Sequence, residues 1–124
     1  MPRFIRAVAS GEPVTIYGDG EQSRDFTFVD NVVAANLLAA DADGVGGEIL
    51  NVATGGSVTV NALADDIGAM LGKAVEKRYE PAREADVRAS WADIDAARRL
   101  LGYEPSVDFA NGLQRTADYL LGKD

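Results

Sequence analysis

Apolar residues recur at helical spacing in five stretches of the chain, and residues that start or stop helices flank each stretch. Phe4, Ile5 and Val8 predict a short helix over residues 2–10, with Pro2 suited to its first turn and Gly11 to its end. Four further helices are predicted, with these caps and faces: Asp30 before Val33, Asn36, Leu37 and Ala40; Thr59 before Leu63, Ile67, Met70 and Leu71, ending at Gly72; Asp93 before Ile94, Ala97, Leu100 and Leu101, ending at Gly102; and Asp108 before Phe109, Leu113, Thr116, Ala117, Leu120 and Leu121.

Runs of β-branched and aromatic residues between these helices predict strands. The runs cover residues 14–17, 24–29, 48–53 and 75–80, and Pro81 ends the last of them. Strands that alternate with helices in this way indicate a small mixed α/β domain, and we expect residues 1–124 to form it as one unit.

Composition agrees with a globular chain, since 47% of the 124 residues are hydrophobic and 26% are charged. The net charge of −8 argues against nucleic acid as a partner, because a polyanion requires a basic surface. A small phosphorylated ligand needs only one or two well-placed arginines. No apolar run is long enough for a membrane span, so we expect a cytoplasmic protein without a membrane partner. The acidic excess, which includes Asp41, Asp43, Asp65 and Asp66, is expected to form a solvated surface.

The chain has neither cysteine nor histidine. Disulfides, thiolate nucleophiles, the usual zinc sites and histidine-based triads are therefore excluded. Acid–base chemistry would fall to Asp, Glu, Tyr or Lys, and we expect no metal site.

Three ordered blocks of the sequence resemble one enzyme family. They are residues 11–30, from Gly11-Glu12-Pro13 to Phe28-Val29-Asp30; residues 51–55, Asn51-Val52-Ala53-Thr54-Gly55; and residues 93–105, Asp93 to Pro105. Together they resemble the carboxyl-terminal half of the NAD-dependent epimerase/dehydratase family, the extended short-chain dehydrogenases, and especially its UDP-glucose 4-epimerases.

The resemblance implies that part of the enzyme is missing from these 124 residues. Family members bind NAD on the glycine-rich turn of an amino-terminal Rossmann domain, which also carries a Tyr-x-x-x-Lys pair for proton transfer. No glycine-rich turn of that kind occurs here, and residues 1–4 resemble the middle of a family member. We therefore expect a fragment or truncated reading frame with no catalytic or cofactor-binding residue, which binds no cofactor itself and belongs to a parent enzyme that uses NAD.

Arg24 is the first candidate binding residue, because similar epimerases place an arginine here on the nucleotide diphosphate. A guanidinium can bridge phosphate oxygens with two charge-assisted hydrogen bonds. The alternative is an arginine paired with Asp25 or Asp30. Arg88 is a further candidate for the ligand, with a surface salt bridge as the alternative.

A second family pattern implies roles for Arg83 and Asp86, as a diphosphate contact and as the acceptor of ribose hydroxyls. The alternative is a solvated charged loop. Tyr17 corresponds to an aromatic residue near the base, with core packing as the alternative. We interpret the glycines of residues 18–20 as hairpin-turn residues rather than a phosphate cradle, and Trp91 as the edge of a core rather than a sugar platform.

Three functions from different classes remain open. The first is the substrate-binding part of an NAD-dependent sugar-nucleotide epimerase, inactive alone, which holds a UDP-sugar for the parent enzyme. The second is a free-standing nucleotide-sugar-binding module, or one that associates with a Rossmann-domain partner or with itself through exposed apolar surface. The third is a remnant without a ligand. Ligand binding by the isolated chain separates the first two from the third.

Overall fold

A computed structural model describes residues 1–123. Its elements are, in chain order, α1 (Pro2–Ser10), β1 (Val14–Tyr17), β2 (Ser23–Arg24), α2 (Val29–Asp41), β3 (Val58–Thr59), α3 (Val60–Leu71), β4 (Lys77–Glu80), β5 (Ala89–Ser90), α4 (Asp95–Leu101) and α5 (Phe109–Leu121). The predicted mixed α/β fold is confirmed.

Local capping signals locate both ends of α1 and α3 and the start of α5, as the sequence predicted. The Thr59 side chain accepts a hydrogen bond from the Ala62 amide, and the Asp108 side chain accepts one from Asn111. Each of these helices ends at a glycine in the left-handed conformation, such as Gly72 with φ 63°. These boundaries follow from residues within one turn of the helix end, so the sequence contains the necessary information.

The two remaining caps differ from the prediction. α2 begins at Val29, so Asp30 lies inside its first turn, where its carboxylate forms an ion pair with Arg115 at 2.7 Å instead of capping the helix. α4 begins at Asp95 rather than directly after Asp93. The Asp93 carboxylate still accepts a hydrogen bond from the Asp95 amide at 2.9 Å. It therefore pairs a free N–H group at the start of α4 from the position before the N-cap residue, Ile94.

The buried side of α2 is also not the predicted one. Val33 and Leu37 are 51% and 63% exposed, whereas Asn31 and Ala35 are buried. The Asn31 amide is held by both backbone groups of Val107, donating to its carbonyl at 2.7 Å and accepting from its N–H at 3.0 Å. The small and polar side of the helix therefore faces the core, and its most apolar side is uncovered.

The strands form two small sheets. β1 pairs with β4 in parallel, and β2 lies between β3, antiparallel, and β5, parallel. Because β1 and β2 belong to different sheets, the predicted hairpin at residues 18–20 is wrong. The predicted strand over 24–29 is reduced to the end of β2, and residues 48–53 form no strand within the part of the chain that is described. A strand requires a paired neighbour, and local composition does not supply one.

The buried apolar side chains form two clusters. The first core cluster joins α1, β1, α3 and α5 and includes Ile5, Ile16, Leu63, Ile67 and Leu113. The second core cluster consists of Ala35, Ala53, Ile94, Ala97, Leu101 and Tyr103, with Leu50 and Val52 packed against it.

Candidate functional site

A cleft of about 610 Å³ runs along β1, between α1 and the loop that follows β4. Three of the predicted binding residues line it, namely Tyr17, Arg83 and Asp86. Tyr17 ends β1, and the parallel pairing of β1 with β4 carries the chain from Glu80 into the loop that holds the other two. The sheet therefore brings residues that are more than 60 positions apart in the sequence to one cleft.

Tyr17 and Arg83 are in direct contact in the cleft. The guanidinium carbon of Arg83 lies 3.9 Å from the centroid of the Tyr17 ring, a cation–π arrangement. Tyr17 is 36% exposed, so its ring is a wall of the cleft rather than a core residue. The core-packing alternative for Tyr17 is therefore wrong.

Arg24 contacts the cleft through Asp86. Its Nη2 donates to Asp86 Oδ1 at 2.5 Å, and its Nη1 donates to the Ser23 carbonyl at 2.6 Å. Both ionised side chains are about one-third exposed, at 30% and 33%. The alternative that pairs Arg24 with Asp25 or Asp30 is wrong. The parallel pairing of β2 with β5 places the loop before β5, which carries Asp86, beside β2.

Gln22 is a cleft residue that the sequence analysis missed. Its side-chain amide is buried and donates to the Tyr17 carbonyl at 2.6 Å and to Asp86 Oδ2 at 3.4 Å. This one side chain thus links the end of β1 to the carboxylate that holds Arg24. Its only signal in the sequence was its place within the block of residues 11–30, since a glutamine in a turn-rich stretch is usually exposed.

Arg88 is directed away from this group. Its Nη1 donates to both carboxylate oxygens of Asp19, at 2.7 and 2.8 Å, and its side chain is 67% exposed. The hydrogen bond from Arg88 lowers the pKa of Asp19, and that carboxylate in turn raises the pKa of Arg88. The structure shows the surface salt bridge that the sequence offered as the alternative for Arg88.

Two other sequence interpretations can be compared with the structure. Gly18 and Gly20 have φ values of 82° and 78°, so they serve backbone conformation, as expected, although not in a hairpin. Trp91 is 64% exposed, and the prediction that it covers a core edge is wrong.

Asp25, directly after Arg24, fixes the neighbouring loop. Oδ1 accepts hydrogen bonds from the Thr54 amide at 3.0 Å and hydroxyl at 2.5 Å, and Oδ2 accepts one from the Gly55 amide at 2.9 Å. At the residue before Thr54, the buried Tyr103 hydroxyl donates a hydrogen bond to the Ala53 carbonyl at 2.8 Å. Asp25 therefore connects the strand that bears Arg24 to the second core cluster.

The arrangement suits an anionic, hydroxylated and aromatic ligand. Guanidinium groups can contact an anion, the Asp86 carboxylate can accept hydroxyl hydrogens, and the Tyr17 ring offers a flat apolar face. Residues 1–123 bring no three metal-ligating side chains together in a metal-binding group, and none of their helices combines the length and apolarity needed to cross a membrane.

Comparison with known proteins identifies the family. Residues 1–53 match the model of the NAD dependent epimerase/dehydratase family. The chain is 34% identical over 118 residues to a UDP-glucuronate 4-epimerase of Thermodesulfobacterium geofontis, covering 94% of this chain and 36% of that protein. It is 36% identical to a UDP-glucose 4-epimerase of Mycolicibacterium smegmatis, covering 97% of this chain and 38% of that one.

Solved structures agree with this match. A UDP-glucose 4-epimerase from Thermotoga maritima, with UDP-glucose, superimposes with a TM-score of 0.90 at 40% identity, covering 98% of this chain and 38% of that one. The chain belongs to the NAD dependent epimerase/dehydratase family. A UDP-glucuronic acid 4-epimerase from Bacillus cereus, with UDP-glucuronic acid and NAD, superimposes with a TM-score of 0.92 at 28% identity, covering 98% of this chain and 39% of that chain.

The match to this epimerase/dehydratase family is extensive along the chain but partial along its relatives. The chain spans between one-third and two-fifths of the length of the curated relatives it matches. Tyr17 and Arg24 lie within the part that the family model covers, whereas Arg83, Asp86 and Arg88 lie beyond it.

One tyrosine–lysine pair has the spacing of the family's proton-transfer motif, although the sequence analysis expects no catalytic residue in this chain. Tyr119 and Lys123 stand four positions apart, but α5 ends at Leu121 and Gly122 adopts the left-handed conformation between them. Lys123 therefore does not follow Tyr119 on the next turn of one helix, which the motif requires to place both side chains together. Tyr119 is also 74% exposed and does not line the cleft.

Proposed function

We propose that these 124 residues act as one nucleotide-sugar-binding unit, the substrate-binding portion of an NAD-dependent sugar-nucleotide epimerase similar to UDP-glucose 4-epimerase. The observation that carries the proposal is the meeting of Tyr17, Arg83 and Asp86 in one cleft, with Arg24 held at Asp86. Similar structures described with UDP-glucose or UDP-glucuronic acid support a UDP-sugar as the ligand.

Each side chain has a definite task in this proposal. The Arg24 guanidinium has five N–H donors. Its Nη1 and Nη2 each donate one hydrogen bond within the chain, so the remaining N–H groups are available to phosphate oxygens. Arg83 leaves the Tyr17 ring to contact the diphosphate, and the base then contacts that ring. Asp86 accepts hydrogen bonds from ribose hydroxyls. These contacts orient the sugar and contribute binding free energy, while Arg88 remains a peripheral candidate that would first have to leave Asp19.

The residues present do not fit NAD. The chain has no glycine-rich turn of the kind that binds a dinucleotide pyrophosphate, and its one correctly spaced tyrosine–lysine pair is interrupted by the end of α5. Within the proposal, NAD binding and proton transfer belong to another part of the parent enzyme, and these residues alone are inactive. A free-standing binding module in the cytoplasm is the alternative.

Calorimetric titration of UDP-glucose into the chain tests the proposal, with NAD as a parallel titrant. We expect UDP-glucose to bind and NAD not to bind. Arg24→Ala should weaken binding about 10- to 100-fold, since a hydrogen bond to a charged group contributes roughly 1.5–3 kcal/mol. Arg115→Ala is the control, because Arg115 also forms an ion pair with an aspartate but does not line the cleft.

Two results would contradict the proposal. Equal affinity of the wild-type chain and the Arg24→Ala variant for UDP-glucose would show that Arg24 does not contact the diphosphate. Absence of UDP-glucose binding at millimolar concentration would contradict both a binding unit formed by these residues and the free-standing module.

A further inference from the structure

The turn between β1 and β2, residues 18–22, contacts the loop that follows β4 and carries candidate binding residues. Gln22 Nε2 donates to Asp86 Oδ2 at 3.4 Å, and the Asp19 carboxylate accepts from Arg88 at 2.7 and 2.8 Å. These contacts join the turn to the loop at two separate points. The position of the turn therefore helps to set where the loop presents its side chains to the cleft.

Asn61, the second residue of α3, holds this turn from the other side. Its side-chain Nδ2 donates to the Asp19 carbonyl at 3.0 Å and to Glu21 Oε1 at 2.5 Å. Its backbone amide donates to the Gly20 carbonyl at 2.9 Å. One residue of α3 thus contacts three consecutive residues of the turn, which lie about 40 positions earlier in the sequence.

The fit between Asn61 and the turn is close. The Asp19 carbonyl and an ionised Glu21 carboxylate can only accept, so the nitrogen of the Asn61 amide must face them. The opposite end of that amide, Oδ1, accepts a hydrogen bond from the Tyr79 hydroxyl of β4 at 2.9 Å. Gly20 has a φ of 78°, and a Cβ at that position would overlap the Asn61 side chain. The turn therefore has little freedom to move relative to α3.

Gln22 connects the turn to the binding residues. The amide of Val60, directly before Asn61, donates to the Gln22 carbonyl at 3.0 Å. The Gln22 side chain is buried and donates to the Tyr17 carbonyl at 2.6 Å as well as to Asp86. A buried side chain with two partners follows the movement of its own backbone, so a shift of the turn would displace the Asp86 carboxylate.

The Asn61 side chain is not needed to begin α3. The Thr59 side chain already caps this helix by accepting from the Ala62 amide at 3.1 Å. The side-chain hydrogen bonds of Asn61 instead go to the turn and to Tyr79, which belong to other elements. Its contacts are therefore those of a residue that fixes the turn rather than the helix.

We propose that Asn61 is a positioning residue of the cleft. It fixes the turn at residues 18–22, and through Gln22 it fixes Asp86 and the Arg24 side chain that Asp86 holds. The effect on a nucleotide sugar rests on the proposed function, whereas the arrangement of Gln22 and Arg24 can be measured without a ligand.

NMR of the ligand-free chain tests the positioning. In Asn61→Ala, the side-chain amide signals of Gln22 and the Nε–H signal of Arg24 should move toward those of exposed side chains. The Gln22 side-chain amide protons should also exchange with water about 10-fold faster. Asn111→Ala is the matched control and should change none of these signals. Asn111 also lies in the first turn of a helix and donates from its side chain, to Asp108 Oδ2 at 3.0 Å, but it does not line the cleft.

Calorimetric titration with UDP-glucose measures the consequence for binding. Asn61→Ala should weaken binding about 10-fold, since one net hydrogen bond corresponds to about this factor. In a chain that already carries Gln22→Ala, the same substitution should weaken binding by less than about twofold, because the connection to Asp86 is already broken. A purely structural role of Asn61 would lower the Tm of both chains without this dependence on Gln22.

Unchanged Gln22 and Arg24 signals in folded Asn61→Ala would overturn the inference, as would an equal loss of affinity with and without Gln22→Ala. If Asn61→Ala does not fold, Asn61→Asp replaces it, because an ionised aspartate has the same shape but cannot donate to the turn. Altered Gln22 and Arg24 signals in a chain that fails to bind UDP-glucose would support the positioning and contradict the proposed function, so the two failures are distinguishable.

Discussion

Replacing Asp25 with asparagine removes one hydrogen-bond acceptor from the point where β2 meets the second core cluster. The Asp25 carboxylate accepts from Thr54 through Oδ1 and from the Gly55 amide through Oδ2. The asparagine side chain keeps one acceptor oxygen and turns the other position into a donor, so it loses either the Gly55 contact or the two Thr54 contacts. Asp25→Ala loses all of them.

The structure gives the size of the effect. Hydrogen bonds to charged groups contribute about 1.5–3 kcal/mol each, and the Asp25 contacts are only partly buried, which places them near the lower end. Asp25→Asn should therefore cost about 1–2 kcal/mol, and Asp25→Ala, which loses all of these contacts, about 3–5 kcal/mol. For a chain of this length, about 1 kcal/mol corresponds to a change in Tm of roughly 4 °C.

Thermal and urea unfolding followed by circular dichroism measure these differences. Asp30→Asn is the matched control, since it removes a carboxylate that forms an exposed ion pair with Arg115 and should cost less than about 1 kcal/mol. If Asp25→Asn and Asp30→Asn destabilise the chain equally, the loop at residues 54–55 does not depend on Asp25, and the reasoning is refuted.

Three further predictions concern single contacts. Tyr103→Phe should cost about 1 kcal/mol in urea unfolding, because it leaves the buried Ala53 carbonyl unpaired. Burial raises the pKa of Tyr103, so the wild-type chain should keep this stabilisation below about pH 10 and lose it above, whereas the variant should show no such loss. Gly20→Ala should lower Tm, since a Cβ there would lie 2.2 Å from Asn61 Oδ1 at a φ of 78°; an unchanged Tm would contradict this. NMR titration should find the pKa of Asp19 below its ordinary value, and Arg88→Ala should raise it toward that value. The stabilisation from this ion pair is therefore present above the ordinary pKa and lost as the pH falls.

Much of the helical structure was determined by the sequence alone. Thr59, Asp108 and Gly72 act on backbone groups within one turn of themselves, so the ends of α3 and α5 can be read without knowledge of the fold. The absence of cysteine and histidine likewise restricted the chemistry directly. The resemblance of residues 11–30 identified Tyr17 and Arg24 as candidates before any geometry was known.

Only the tertiary structure decided which residues meet. Arg24 and Asp86 are 62 positions apart, and they pair because β2 lies beside β5 rather than because either residue favours the other locally. Segment 48–53 has the composition of a strand but no neighbour among residues 1–123, because β pairing depends on a partner that a local pattern cannot provide. The buried side of α2 was misassigned for the same reason, because the side of a helix that is buried depends on the elements that pack against it, and the apolar spacing within α2 does not specify them.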